Sequence, residues 1–155
     1  SSLHDLCVDA LSLGHEAKGI PILAAGLQKN RSIKSLTING GGLSDEDIGA
    51  LSEMIKTNTY LRTLNLYIDL LGDRQAASLL DALKKNTVIK VLGIKEKRGA
   101  TDCNGFKWFT DVLLVNTSIE SLSYDAIYHM EHQAQKIIEC LEAINKFLNK
   151  NFLFY

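Results

Sequence analysis

Proline occurs once and cysteine three times in 155 residues. Cys7, Cys103 and Cys140 lie far apart, so the chain has neither a disulfide framework nor a CxxC metal pair. Sparse cysteine of this kind suits a reducing, intracellular (cytosolic) compartment. With one proline and no low-complexity stretch, no internal linker divides the chain, which is expected to form a single domain over residues 1–155. No apolar run approaches the roughly 20 residues of a membrane-spanning helix, and the N-terminus lacks the basic-then-apolar pattern of a signal peptide. An excess of either charge is also missing. Seventeen Lys and Arg against eighteen Asp and Glu leave a net charge of −1, which argues against nucleic acid as the partner of the whole surface.

Signatures of catalysis are missing too. No G-x-x-x-x-G-K-[ST] phosphate loop is present, and Gly40-Gly41-Gly42 lacks the lysine that such a loop requires. His129-Met130-Glu131-His132 places two histidines three apart without the H-E-x-x-H spacing or an obvious third ligand. Cys7 could pair with His4 or His15, but no orienting acid or oxyanion signature accompanies them. The expectation is therefore no catalytic residue, no metal site and no cofactor.

What the chain does have is repetition. Asn30-x-x-Ile33-x-x-Leu36-x-Ile38 recurs as Asn58-x-x-Leu61-x-x-Leu64-x-Leu66, then as Asn86-x-x-Ile89-x-x-Leu92-x-Ile94 and Asn116-x-x-Ile119-x-x-Leu122-x-Tyr124. The steps are 28, 28 and 30 residues. A fixed period in this range marks stacked supersecondary units that cannot bury their apolar faces alone. Each unit reads as a short alternating strand, a loop and an amphipathic helix closed by the next Asn, a residue that tolerates the left-handed backbone common at helix ends. The units run over about residues 1–30, 31–58, 59–86, 87–116 and 117–155. In the first and weakest, Leu3-x-x-Leu6-x-Val8 supplies the strand, and Ile20, Leu23 and Leu27 line one helix face behind Pro21 in the first turn.

In the second, Ser44 is an N-cap ahead of Asp45, Glu46 and Asp47, with Ile48, Leu51 and Ile55 as the buried stripe. Ala76, Leu79, Leu80 and Leu83 play that part in the third, and Phe106, Phe109 and Leu113 in the fourth, where Trp108 is expected to pack rather than stand exposed. The last helix, about 130–149, carries Met130, Ile137, Leu141, Ile144 and Leu148. Asn151-x-x-Phe154 then reads either as a sixth strand or as part of a terminal cap.

These four segments and the stripes between them resemble a leucine-rich repeat protein of the ribonuclease-inhibitor-like, 28-residue, helix-bearing type. The resemblance implies an α/β fold: a curved solenoid of about five repeats, with a parallel β-sheet on the concave side and α-helices on the convex side. The family ordinarily carries Asn or Cys three residues after the last strand hydrophobe, to tie the loops together. Gly41, Asp69, Lys97 and Ile127 stand there instead, and only Asp69 can act as an acceptor.

Alternation along the strands sends every second side chain to the concave surface. The outward residues are Asp5, Ser35, Thr63, Val91 and Ser121; then Cys7, Thr37, Asn65, Gly93 and Ser123; then Asp9, Asn39, Tyr67, Lys95 and Asp125. At the strand starts Lys34, Arg62 and Lys90 align as a basic ridge suited to an acidic partner. The expected function is non-catalytic protein binding through Tyr67, Asn65, Arg62, Lys34 and Lys95, with Tyr67 as the largest anchor. Two settings fit, a bacterial effector acting in a host cell and the recognition segment of a larger innate-immune-type sensor. A structural spacer and a divergent enzyme are the alternatives of a different class.

Overall fold

Each apolar alternation becomes a strand, and after each of the first three strands a described helix returns the chain to the start of the next. The computed structural model describes residues 3–9, 19–69, 72–96, 112–126 and 153–154. In chain order these form β1 (Asp5–Asp9), α1 (Gly19–Gln28), β2 (Ser35–Asn39), α2 (Asp45–Thr57), β3 (Thr63–Ile68), α3 (Asp73–Lys85), β4 (Val91–Glu96), β5 (Ser121–Ala126) and β6 (Leu153–Phe154). Residues 112–115 are also helical. The strands make one six-stranded sheet in sequence order, every pair parallel. Parallel neighbours need a crossover between them, and α1, α2 and α3 supply it for the first four strands.

The register follows the repeat. Leu36 pairs with Leu64, Leu64 with Leu92, and Leu92 with Leu122, so equivalent leucines stack into one column. With Ile38, Leu66 and Ile94 they face Ile48, Leu51, Ile55, Leu79 and Leu83 from the helices in a single core. Ile33, Leu61, Ile89 and Ile119 close that core at the strand starts.

Local chemistry places the helices. Ser44 Oγ accepts from the Asp47 amide at 3.1 Å while the Asp47 carboxylate accepts from the Ser44 amide at 2.9 Å, a reciprocal cap on α2. Gln75 opens α3 differently. Its carbonyl oxygen accepts from the Gly72 amide at 3.1 Å, and its amide nitrogen donates to the Leu43 carbonyl at 3.0 Å, tying one repeat to the one before.

Several expectations need correction. Leu3 is 64% exposed and Leu6 and Val8 are only half-buried, because no described repeat covers β1 from outside. In α1 the buried residues are Ile20, Ala24 and Leu27, with Leu23 half-buried. The sixth strand, one of the two readings of the last residues, is present, but its register pairs Phe154 with Tyr124 rather than with Ile119. Asn151 is therefore not the counterpart of Asn116. Phe106, Trp108, Phe109, Cys103, Cys140, His129, His132 and the helix of about 130–149 fall outside the described residues.

Leu64 lies at the centre of the leucine column and is 0% exposed. Leu64→Ala is expected to cost about 2–5 kcal/mol through lost burial and the cavity left behind. Denaturant unfolding measures this, and an unchanged midpoint would contradict the register.

Candidate functional site: the open face of the sheet

The geometry of this face begins with the asparagines between the helices and the strands. Asn58 and Asn86 cap α2 and α3 with φ of −72° and −78°, extended backbone rather than the left-handed turn expected from sequence. The side chain is what matters. Asn58 Oδ1 accepts from the Tyr60 and Leu61 amides at 2.8 and 2.7 Å, holding the turn into β3. Its Nδ2 donates back to the Leu27 carbonyl at 2.6 Å, in the last turn of α1.

Asn86 repeats the pattern with Val88, Ile89 and the Ile55 carbonyl, and Asn116 with Ser118, Ile119 and the Leu83 carbonyl. Asn30 makes the same turn with the Ser32 and Ile33 amides. Helix ends leave carbonyls without partners, and here the next repeat's asparagine supplies the donor.

This explains why the loop position after each strand need not carry the family's asparagine. The asparagine ties run before the strands, while after them the described links are Gln75 to the Leu43 carbonyl, the Gly40 amide to the Tyr67 carbonyl at 2.6 Å and a 3.5 Å contact from the Asp69 amide to the Gly41 carbonyl. The same bonding also removes Asn116-Thr117-Ser118, an N-x-S sequon in the sequence, as a glycan acceptor. The Asn116 amide nitrogen, where a glycan would attach, is buried and bonded to two carbonyls.

Strands started in this way present alternate side chains on the face away from the core. Tyr67 stands on β3 between its register partners Asn39 and Lys95, and all three are half-buried. Asn65 lies one position inward of Tyr67 and donates to Thr37 Oγ1 at 3.3 Å. Beside it Gly93 is buried although it faces outward, because the Asn65 carboxamide lies across it. A Cβ at 93 would collide with Asn65 Oδ1 and come within 3.1 Å of Ser123 Oγ. Periodicity alone does not show this. Cys7 is exposed on the same face, and Asn39 Nδ2 approaches its sulfur at 3.8 Å.

Along the strand starts the basic ridge is broken. Lys90 makes an ion pair with Glu120 at 2.6 Å. Arg62 is exposed, with weak contacts to the Thr59 and Val88 carbonyls at 3.4 and 3.3 Å, and Lys34 is exposed beside it. On the helical side Asp81 bridges Lys85 and Lys56, and its hydrogen bond to Lys85 is the main reason its carboxyl titrates below the ordinary range. The structure thus brings Tyr67, Asn65 and Lys95 together on the open face. Lys34 and Arg62 sit at its strand-start margin.

No protein-family model matches the chain, and no curated protein does. Among solved structures, a chain described as leiomodin-1 actin-binding site 2 is similar, with a TM-score of 0.69. Identity is 19%, and the alignment covers 94% of this chain and 82% of that one. The fold is leucine-rich-repeat-like. Among the described residues no helix is long and apolar enough to cross a membrane.

The fit between Asn65 and Gly93 is directly testable. Gly93→Ala is expected to destabilise by about 1–3 kcal/mol, as overpacking does. Asn65→Ala in the same chain should recover most of that loss in a denaturation double-mutant cycle. Equal costs in both backgrounds would show that the obstacle is not Asn65.

Proposed function

We propose that the chain is a non-catalytic protein-interaction module of the ribonuclease-inhibitor-like repeat type, binding its partner on the concave face of a short solenoid. The observation that carries this is the arrangement on that face. A half-buried Tyr67 is flanked by Asn39 and Lys95, over a floor flattened by Asn65 lying across Gly93. Repeat arrays use such extended surfaces for recognition, and a half-buried tyrosine offers area at little entropic cost. The similar solved chain is described as a binding site for actin, a protein, which supports protein recognition as the class of activity. An effector in a host cell and a segment of a larger intracellular sensor would each use this face in the same way.

Tyr67→Ala combined with Arg62→Ala is expected to weaken capture of a partner identified by affinity purification and mass spectrometry by on the order of tenfold or more, as loss of an interface anchor does. The melting curve should stay close to that of the parent, since both side chains lie outside the core. Undiminished capture would move the site off this face.

A further inference from the structure

Charge is distributed unevenly along the strand direction, although Asp5 begins β1 and Arg74 and Lys95 lie towards the strand ends. Asp9, Asp45, Glu46 and Asp47 lie where the strands end and α2 begins, and the helix dipole accounts for the last three. Cations gather at the opposite end, where each helix gives way to the next strand. There Lys56, Lys85 and Lys90 are taken up by Glu53, Asp81 and Glu120.

Lys84, in the last turn of α3, is not, nor are Lys29, Arg31, Lys34 and Arg62. The latter four are exposed, and none forms an ion pair among the described residues. Backbone geometry keeps them together. The Arg62 amide donates to the Lys34 carbonyl at 2.8 Å, putting their strands on neighbouring rungs about 4.8 Å apart. Lys29 and Arg31 flank Asn30, whose carbonyl is 3.5 Å from Asn58 Nδ2 on the next rung. The helix dipole does not explain the group, because its influence ends within the last turn and Arg31, Lys34 and Arg62 lie beyond any helix. Tyr60, 38% exposed, adds an aromatic surface on the rung of Arg62.

We infer that this corner binds an acidic segment of a protein, rich in Asp and Glu, and that it forms the charged margin of the interface proposed above. The inference rests on that protein-binding reading and specifies the partner's chemistry. Four uncompensated cations over two rungs match a short run of carboxylates. A nucleic acid would need a longer track of phosphate contacts, and the acidic far end of the strands would repel it.

The test uses the full chain and a fluorescein-labelled oligoglutamate peptide, read by anisotropy at low and raised salt. Saturable binding that weakens with salt is expected. Arg31→Glu with Lys34→Glu should weaken it on the order of tenfold, the combined effect of several exposed ion pairs. Arg74→Glu, a single reversal at the start of α3 and so at the other end of the strands, should leave it nearly unchanged, whereas Lys34→Glu alone should weaken it several-fold. Circular dichroism melts establish that each variant folds, and Lys34→Gln serves as a gentler replacement should the reversals unfold the chain. No binding, equal weakening by Arg74→Glu and by Lys34→Glu, or tighter binding to a single-stranded RNA or to phosphatidylserine vesicles would overturn the proposal. Tyr67→Ala separates this claim from the broader one. Peptide binding that survives Tyr67→Ala while partner capture is lost supports both, whereas peptide binding with capture insensitive to Tyr67→Ala removes the sheet-face reading and leaves the corner.

Discussion

The fold depends on one side chain used four times. Each of Asn30, Asn58, Asn86 and Asn116 accepts from two backbone amides that begin its own rung, and the last three also donate to a carbonyl of the preceding helix. Only a short carboxamide combines acceptor and donor at this reach. Aspartate would lose the donor, alanine both, and glutamine is longer by a methylene. Asn58, Asn86 and Asn116 are 4% exposed, so water cannot readily replace what they provide, and buried polar groups left unpaired are costly.

That constraint determines what the rest of the chain can do. Holding each strand start at a fixed place against the preceding helix fixes the register, and the register stacks the leucines into columns. The alternate positions are then committed to the other face, where Tyr67, Lys95 and Asn65 meet and where Gly93 makes room. The same turns set Lys29, Arg31 and Lys34 side by side with Arg62 at the strand starts. Binding surface and scaffold are two consequences of one loop geometry.

Much of this was legible in the residues. The 28-residue spacing marked the strands, the Ser44 cap and the stripe of Ile48, Leu51 and Ile55, since periodicity and capping are local properties. The role of the asparagines was not, because a helix-ending Asn is compatible with a left-handed turn. Its recurrence at one position, where glycine would serve equally well, was the available signal that a side chain with both donor and acceptor was needed. Leu3 fits the repeat pattern yet is exposed, because a pattern does not say whether a neighbour exists to bury it. Lys90 was grouped with Lys34 and Arg62 because the pairing with Glu120 spans thirty residues and depends on the register of β4 against β5. The burial of Gly93 under Asn65 likewise depends on side-chain placement between strands.

The account is tested most directly by the unfolding free energy of Asn86→Ala in denaturant. Asn86 has a ladder neighbour on each side, and its loss would strip partners from the Val88 and Ile89 amides and the Ile55 carbonyl. The expected cost is about 3 kcal/mol or more, the sum of several buried groups left unsatisfied. A loss below about 1 kcal/mol, no more than one exchangeable hydrogen bond contributes, would contradict the claim that the asparagines hold the repeats in register.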